Sequence, residues 1–329
     1  MPNILIYGAT GYTGLLASTQ AQALSLPIVV AGRSKLEVVA LASTLQVPYR
    51  IFSAEAGSNL DSALQDVQVL LNCAGPFHHT ARPLMEACIR NRVHYLDISA
   101  ELISYHVAEE LDESAREAGV MLLPGCGGSV AMLGCLVGHA LEGFGTPLSI
   151  DVALDVAGPM SRGSAISAAE SLATQCLQRF EGTLVSQDVS TTRAFNFGGG
   201  RASTECFPVT LPDLITLWKT TGVGNIRTYA HISTEAFPSQ NLEDLPDGPT
   251  AEEREVNSYH AAVILTARDG IVKREVLHTM NGYTFTAIAS VEIAKRVSAG
   301  QLKAGFQTPA YVFGPKFLDL IPSSKIRTL

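Results

Sequence analysis

The chain begins with a short apolar run that leads directly into three glycines spaced three residues apart. In NILIYGATGYTGLL, Gly8, Gly11 and Gly14 follow a strand-like stretch and open a helix-like one. Glycine allows a tight turn at the first position, close approach of a ligand at the second and close helix–strand packing at the third. The helix N-terminus then offers N–H groups and a dipole to phosphate. This predicts a dinucleotide-binding turn formed by Gly8, Thr10, Gly11, Tyr12, Thr13 and Gly14.

Strand-like and helix-like segments alternate through the first third of the chain. Apolar runs, each followed by a helical pattern, lie at residues 3–7, 27–33, 67–75, 93–99 and 120–125. Nearly continuous apolar runs are typical of parallel strands that are buried on both faces. We therefore predict an α/β fold whose N-terminal domain, residues 1–125, is a Rossmann doubly wound parallel sheet.

The end of the second apolar run bears on which dinucleotide binds. An NAD site usually has an Asp or Glu there, which accepts a hydrogen bond from the ribose 2′-hydroxyl. This chain reads VVAGRSKLE, with no acid before Arg33. A guanidinium can make a forked contact with a 2′-phosphate, and Ser34 and Lys35 can add donors. The predicted cofactor is NADPH.

The pattern changes after about residue 145, which indicates a second domain, predicted over residues 126–285. This domain is expected to be α+β, built on a mainly antiparallel sheet, and to hold the substrate and any homodimer contact. Asp269-Gly270 lies between two β-rich runs and predicts a hairpin. Residues 164–180 predict a helix with Ser164 as N-cap, and the acidic segment 240–257 predicts an exposed loop.

Composition excludes several classes of function. The net charge of −8 argues against nucleic-acid binding, which needs a basic stripe. The six cysteines have no zinc or disulfide spacing, so reduced thiols in a cytoplasmic protein are expected, and no metal site is predicted. The strand-like run begins almost at the first residue, so no signal peptide is expected. Pro124 and its neighbouring glycines divide the apolar stretch 119–141, so no membrane span is expected.

An ordered set of motifs resembles the saccharopine dehydrogenase-like oxidoreductases, a group that includes trans-acting enoyl reductases of polyketide pathways. The motifs are GATGYTG, AGRS, NCAGPF, HYLDISAE, PGCGGS, SRGSAISAAES and GFQTPAYVFG. The resemblance implies NADPH as cofactor and implies that C-terminal helices, residues 286–329, pack back on the Rossmann domain. It also implies that a turn beside the nicotinamide is formed by Ala74, Gly75, Pro76 and Phe77.

Two departures from the family's pattern leave the substrate open. Gly128-Ser129-Val130 stands where many relatives have an aromatic residue or an aspartate. Ser161-Arg162-Gly163-Ser164 stands where relatives often read S-G-G-T. By the resemblance, both positions lie on the substrate side of the site. Arg162 could hold a carboxylate or a phosphopantetheine phosphate. The predicted substrate contacts are Ser129, Ser161, Arg162 and Ser164.

Two residues are candidates for catalysis. His78 directly follows Phe77, and its imidazole could donate a proton as hydride arrives. Cys126 lies between a strand end and a helix start, where a thiolate is stabilised. The PGCGG turn is also similar to that of semialdehyde-forming acyl-phosphate reductases. That chemistry needs a downstream histidine base, and none is marked here, so packing of a small residue is the favoured interpretation of Cys126.

The leading hypothesis is an NADPH-dependent reductase that acts on a C=C or C=N bond of a small metabolite or carrier-bound intermediate. In such enzymes the cofactor supplies the hydride, and the protein supplies position and one proton. One alternative is an acyl or semialdehyde dehydrogenase that depends on Cys126. Another is a protein that binds NADP(H) without turnover and senses its redox state.

Overall fold

The computed structural model describes residues 3–55, 60–172, 175–233 and 245–329. It divides the chain into two units. One comprises Met1–Gly128 and Thr286–Val312, and the other comprises Ser129–Phe285 and Phe313–Leu329. Each unit is built around its own sheet.

Strands and helices alternate in the first stretch of the chain, as the apolar runs predict. The elements are β1 (Asn3–Tyr7), α1 (Tyr12–Ala23), β2 (Ile28–Gly32), α2 (Lys35–Leu45), β3 (Tyr49–Ile51), α3 (Leu60–Ala63), β4 (Val67–Asn72), α4 (Phe77–Asn91), β5 (His94–Asp97), α5 (Leu102–Glu110), α6 (Asp112–Glu117) and β6 (Met121–Leu123).

The later part of the chain contains most of the second sheet. The elements are α7 (Gly128–Leu141), β7 (Ser149–Val156), α8 (Arg162–Leu172), β8 (Leu177–Phe180), β9 (Thr183–Ser186), β10 (Arg193–Phe195), β11 (Thr204–Pro208), α9 (Asp213–Thr221), β12 (Ile226–Ile232), α10 (Ala251–Val256), β13 (Tyr259–Thr266), β14 (Val272–Thr279), α11 (Gly282–Ser298), β15 (Gly305–Phe306), α12 (Pro309–Phe313), a 3-10 helix (Pro315–Leu320) and β16 (Lys325–Thr328).

The first unit contains a seven-stranded sheet in the order β15-β6-β5-β4-β1-β2-β3. Every pairing in it is parallel, with Leu5 opposite Val29 on one side and Leu70 on the other. The five residues of β2 are all buried, as expected for a strand that is covered on both faces. The strand order reverses between β1 and β4, and this switch point is where doubly wound sheets bind ligands. The predicted Rossmann sheet is confirmed.

The second unit contains a nine-stranded sheet. Its main path is β10-β11-β12-β7-β13-β14-β16, and the β8–β9 hairpin pairs with β12. All pairings are antiparallel except the one between β12 and β7. The hairpin predicted at Asp269-Gly270 joins β13 to β14, with Thr266 opposite Val272. The prediction of a mainly antiparallel sheet is therefore correct.

The C-terminal segment is shared between the units, which corrects the prediction that residues 286–329 form one part. Thr286–Val312 belongs to the first unit, and Phe313–Leu329 belongs to the second. The reason is strand pairing: β15 adds to β6 of the first sheet, whereas β16 adds to β14 of the second with Ile326 opposite Leu277. The division before the second unit falls after Gly128, three residues beyond the predicted 125.

Two local predictions in the second unit are wrong. The helix expected over 164–180 is α8, Arg162–Leu172, and β8 begins at Leu177. The hydroxyl that accepts from the Ser164 N–H belongs to Ser161, 3.2 Å away. The predicted loop 240–257 contains a short helix, α10, which has a capping box between Thr250 and Glu253. Residues 240–244 lie outside the described residues.

Membrane-spanning helices are absent from the described ranges, because no helix there combines the necessary length with sufficient apolar character.

Candidate cofactor and active site

The glycines of the β1–α1 turn fall into two kinds. Gly8 has a φ of +74°, and a Cβ on it would lie 2.7 Å from the Ala74 nitrogen. A Cβ on Gly14 would lie 2.1 Å from the Gly8 carbonyl oxygen. A Cβ on Gly11 would have only that carbonyl near it, at 3.4 Å. Packing within the protein therefore explains Gly8 and Gly14, whereas Gly11 leaves open backbone facing outward.

No side chain caps the N-terminus of α1. Gly11 is the N-cap, so no side chain caps the helix, and the first turn contains no acidic residue. Thr10, Tyr12 and Thr13 are half-buried beside it. An uncapped helix start with a glycine at the point of closest approach fits a pyrophosphate, which the N–H groups and the helix dipole would bind.

The end of β2 adjoins this turn and carries positive charge. A Cβ on Gly32 would lie 4.0 Å from the Thr10 hydroxyl. Arg33 and Lys35 are exposed, and the Ser34 side chain makes no capping hydrogen bond to α2 although Ser34 is its N-cap. The first acid after β2 is Glu37. These side chains fit a ribose 2′-phosphate, with which a guanidinium and a hydroxyl can both form hydrogen bonds.

The predicted nicotinamide turn, Ala74 to Phe77, is anchored by Asn72, the last residue of β4. The amide of this fully buried residue accepts from the Ala74 N–H at 3.0 Å. It donates to Thr80 and to Tyr95, both at 3.1 Å. Thr80 in turn donates to the Ala74 carbonyl at 2.7 Å. Both polar groups of Ala74 are therefore fixed, and the turn that contacts Gly8 is held rigidly.

Asp97, at the end of the neighbouring β5, continues this buried network. Its carboxylate accepts from the Tyr95 hydroxyl at 3.0 Å and from the Ser99 and Gly125 N–H groups, both at 2.9 Å. Burial raises the pKa of Asp97 to about 6, although these hydrogen bonds act in the opposite direction. One side chain thus connects the turns that follow β5 and β6.

Glu101 holds the first turn of α4, a role that sequence reasoning missed. Its carboxylate accepts from the Phe77 N–H at 2.9 Å and from the His78 N–H at 3.2 Å. The same oxygen lies 4.0 Å from Nδ1 of His78, whose side chain is 41% exposed, whereas that of Glu101 is 13% exposed. The His79 ring lies against that of His78, with 3.8 Å between the ring centroids.

Cys126 occupies a place unlike that of a reactive thiol. It is fully buried, its Sγ donates to the Leu123 carbonyl at 3.2 Å, and its N–H donates to the Asp97 carbonyl at 2.7 Å. Burial, followed by the nearby Asp97 charge, raises the pKa of the Cys126 thiol well above its ordinary value. The thiolate is the nucleophilic form, so this environment argues against covalent catalysis. At α7, the Gly128 N–H donates to Thr286 at 2.9 Å.

The predicted substrate residues of the second unit have protein partners. Ser161 caps α8, and its hydroxyl contacts that of Ser164 at 3.0 Å. The Arg162 guanidinium forms an ion pair with Asp247 and contacts the Leu245 carbonyl. These contacts explain the local structure without a ligand, and the assignment of Ser161, Arg162 and Ser164 to the substrate stays a prediction.

Ser129 lies beside a buried carboxyl group of the same unit, Asp213 at the start of α9. No well-formed hydrogen bond joins either side chain to a partner in the described part of the chain. Burial raises the pKa of Asp213 to about 7, although the nearby Ser129 hydroxyl acts to lower this pKa. The contrast with Asp151 is large, because that buried carboxylate pairs with Arg193 at 2.8 Å and with Arg227 at 2.6 Å.

Comparisons with known proteins agree with this geometry. Residues 4–123 match the family model described as the saccharopine dehydrogenase NADP binding domain. The human saccharopine dehydrogenase-like oxidoreductase is 28% identical over 151 residues, covering 38% of this chain and 34% of that protein. A trans-acting enoyl reductase of Mycobacterium leprae is 29% identical over 136 residues, covering 38% and 32%. The matched region thus spans about a third of the length of these relatives.

Solved structures show the same fold over the whole chain. Saccharopine dehydrogenase (L-Glu forming) from Saccharomyces cerevisiae has a TM-score of 0.69 at 12% identity, with 100% of both chains covered. Homospermidine synthase from Legionella pneumophila, solved in complex with NAD, has a TM-score of 0.69 at 11% identity and covers 100% of this chain and 91% of its own. At such identities the likeness concerns the fold alone.

Proposed function

We propose that this chain, whose residues 4–123 are a saccharopine dehydrogenase NADP-binding domain, is an NADPH-dependent reductase of a C=C or C=N bond. The substrate is a small metabolite or a carrier-bound intermediate. The match of residues 4–123 to an NADP-binding domain and the likeness to oxidoreductases support this proposal. The type of bond and the direction of the reaction belong to the proposal.

One observation carries the proposal: the open β1–α1 turn and the anchored Ala74–Phe77 turn adjoin at the switch point of one sheet. Gly8 touches Ala74 so closely that no side chain fits between them. A dinucleotide whose pyrophosphate binds at Gly11 and whose 2′-phosphate binds at Arg33 would extend along this edge toward Ala74. Its reactive ring would then lie next to the residue that begins α4 and to His78.

The chemistry follows from what these residues can do. NADPH, when bound, supplies the hydride that adds to the electrophilic carbon of the substrate. The turn that Asn72 fixes would offer the reacting ring a rigid surface on which to rest. His78 donates a proton to the atom at the other end of the bond, so that the double bond becomes a single bond with two added hydrogens. The imidazole is then reprotonated from solvent, to which it is 41% exposed.

Burial of Cys126 weighs against the acyl or semialdehyde dehydrogenase alternative. A thioacyl intermediate requires the substrate to reach Sγ and requires the thiol to ionise. The side chain has no exposed surface, and its pKa is raised well above the ordinary value. Direct hydride transfer needs neither condition.

Single-turnover oxidation of bound NADPH tests the proposal. The protein, loaded with NADPH, is mixed with a panel of enoyl thioesters, enals and imines, and cofactor fluorescence is followed. We expect oxidation with one of these classes, and Cys126→Ser should retain most of the rate. A thioacyl adduct on Cys126 in mass spectrometry would instead support the acyl dehydrogenase. Tight NADPH binding with no oxidation across the panel would favour the sensor hypothesis and count against the reductase.

A further inference from the structure

Glu101 is held in place by successive hydrogen bonds that begin at the buried Asp97. The Asp97 carboxylate accepts from the Ser99 N–H at 2.9 Å, and the Ser99 hydroxyl accepts from the Glu101 N–H at 3.0 Å. Tyr105 adds a third tie by donating to the Ser99 carbonyl at 2.7 Å. The backbone leading to Glu101 is thus fixed relative to β5, and the Glu101 carboxylate reaches α4 from a rigid base.

One oxygen of the Glu101 carboxylate contacts both the backbone of α4 and the imidazole of His78. Oε2 accepts from the Phe77 and His78 N–H groups at 2.9 and 3.2 Å, and it lies 4.0 Å from Nδ1 of His78. Capping alone needs an acceptor but no charge, and a neutral amide would serve. A charged oxygen beside Nδ1 additionally favours the tautomer that carries its proton there.

We propose that Glu101 is the positioning residue for His78, keeping the proton of the neutral imidazole on Nδ1 and leaving Nε2 to deliver protons to the substrate. The 4.0 Å separation closes to a hydrogen bond in the working complex, as catalytic hydrogen bonds commonly tighten when substrate binds. This inference rests on the proposed function for the role of His78 in turnover. The contact between the two side chains does not depend on that function.

Substitution of Glu101 by glutamine separates the two contacts. Glu101→Gln keeps an oxygen that can accept from the Phe77 and His78 N–H groups but removes the charge beside Nδ1. Glu110→Gln is a matched control, because Glu110 also bridges α4 and α5, through Arg82, and is not paired with His78. A purely structural role of Glu101 predicts little change in either variant beyond the melting temperature.

Nitrogen NMR of isotope-labelled histidine in the NADPH-loaded protein reads the tautomer directly, with His78→Gln used to assign the resonances. We expect His78 to carry its proton mainly on Nδ1 in the wild type and in Glu110→Gln, and to shift toward Nε2 in Glu101→Gln. On a substrate that turns over, kcat of Glu101→Gln should fall roughly tenfold to a hundredfold with KM little changed. In the His78→Gln background, Glu101→Gln should lower kcat no further.

The outcomes distinguish this inference from the proposed function. An identical His78 tautomer in the wild type and in Glu101→Gln would overturn the positioning role, whatever the turnover. A tautomer that shifts as expected, together with full turnover by His78→Gln, would retain the contact and remove His78 as proton donor. An additive loss of kcat in the double variant would also contradict the inference.

Discussion

The β1–α1 and β4–α4 junctions lie on adjacent strands of one sheet, yet they treat the start of their helices in opposite ways. At β1–α1 the N-cap is Gly11, and the first turn has no side-chain cap and no acid. At β4–α4 the N–H groups of Phe77 and His78 are taken by Glu101, and the preceding turn is tied to Asn72. We call β1–α1 the open junction, because its helix start is prepared for an external anion. We call β4–α4 the closed junction, because the N–H groups at its helix start already have acceptors within the protein.

This difference divides the work of a hydride-transferring site between two neighbouring turns. A phosphate needs unoccupied donors and no competing negative charge. A reacting ring and a proton donor need fixed positions, because small displacements of the reacting atoms lower the reaction rate steeply. Substitutions that alter one junction at a time separate the two roles.

The largest effect is expected from the glycines of the open junction. Gly14→Ala places a Cβ 2.1 Å from the Gly8 carbonyl oxygen, and overpacking of this kind should lower the free energy of unfolding by about 3 kcal/mol. A Cβ on Gly11 has only the Gly8 carbonyl oxygen near it, at 3.4 Å, so Gly11→Val should melt near the wild-type temperature while losing NADPH binding. Denaturant unfolding and cofactor titration measure both. Equal destabilisation of the two variants would contradict the distinction between packing and ligand approach.

The closed junction should fail through its buried network. Asp97→Ala removes the acceptor for the Tyr95 hydroxyl and for the Ser99 and Gly125 N–H groups. Leaving these donors unsatisfied should cost about 2–3 kcal/mol of folding free energy. Asp97→Asn is the milder control, since its amide oxygen can still accept from the two N–H groups. If urea unfolding gave the same midpoint for both variants, the network would not be what holds these turns.

Cofactor choice should depend on the open junction alone. Arg33→Glu should weaken NADPH binding by about 1.5–3 kcal/mol through charge repulsion and loss of a charge-assisted hydrogen bond, and it should leave NADH binding nearly unchanged. Lys35→Gln should have a smaller effect, because a flexible ammonium makes no forked contact. Fluorescence titration with both cofactors provides the measurement. Wild-type protein that bound NADH as tightly as NADPH would refute the assignment of the 2′-phosphate to Arg33.

The second unit offers a smaller test of what burying a carboxyl group at a helix start costs in folding free energy. The raised pKa of Asp213, about 7 against an ordinary 3.8, means that the folded state holds the proton more tightly than the unfolded chain. Its cost to folding is least below pH 3.8 and grows as the pH rises toward 7. Asp213→Asn should therefore stabilise the protein at neutral pH by about 1–2 kcal/mol.

The pH dependence of the unfolding midpoint checks the sign of this effect. The advantage of Asp213→Asn over the wild type should shrink as the pH falls from 7 toward 4. An advantage that stayed constant, or that grew toward low pH, would show that burial does not raise the Asp213 pKa. Asp151→Asn should behave oppositely at neutral pH, because it breaks ion pairs with Arg193 and Arg227.

The open junction could be predicted from the sequence, and the closed junction could not, for a physical reason. Gly8, Gly11 and Gly14 act within a few residues of one another, so their spacing alone indicates the turn. Glu101 acts on Phe77, 24 residues away in the chain, through a contact that only the parallel pairing of β4 and β5 creates. The one signal in the sequence is the alternation of polar residues in D-I-S-A-E after an apolar run. Asp97 accepts from the Ser99 N–H, the Ser99 hydroxyl accepts from the Glu101 N–H, and Glu101 accepts from α4.

The same distinction accounts for the errors in the second half. The helical periodicity of residues 164–180 continues past the point where α8 ends. Residues 177–180 nevertheless form β8, because pairing with β12 and β9 outweighs their local helical preference. The C-terminal strand β16 likewise has few apolar residues and is defined by its pairing with β14. Polarity patterns therefore predict helices and strands well when local sequence determines them, and poorly when pairing with a distant strand does.

The central claim is that one junction binds the cofactor and its neighbour performs the proton chemistry. Its most direct test compares Gly11→Val with His78→Gln in two assays, NADPH titration and single-turnover oxidation of the bound cofactor by a substrate of the wild type. Gly11→Val should bind no NADPH. His78→Gln should bind NADPH with the wild-type Kd and oxidise it at least about a hundredfold more slowly. The claim would be contradicted if His78→Gln lost binding together with turnover, or if it turned over at the wild-type rate.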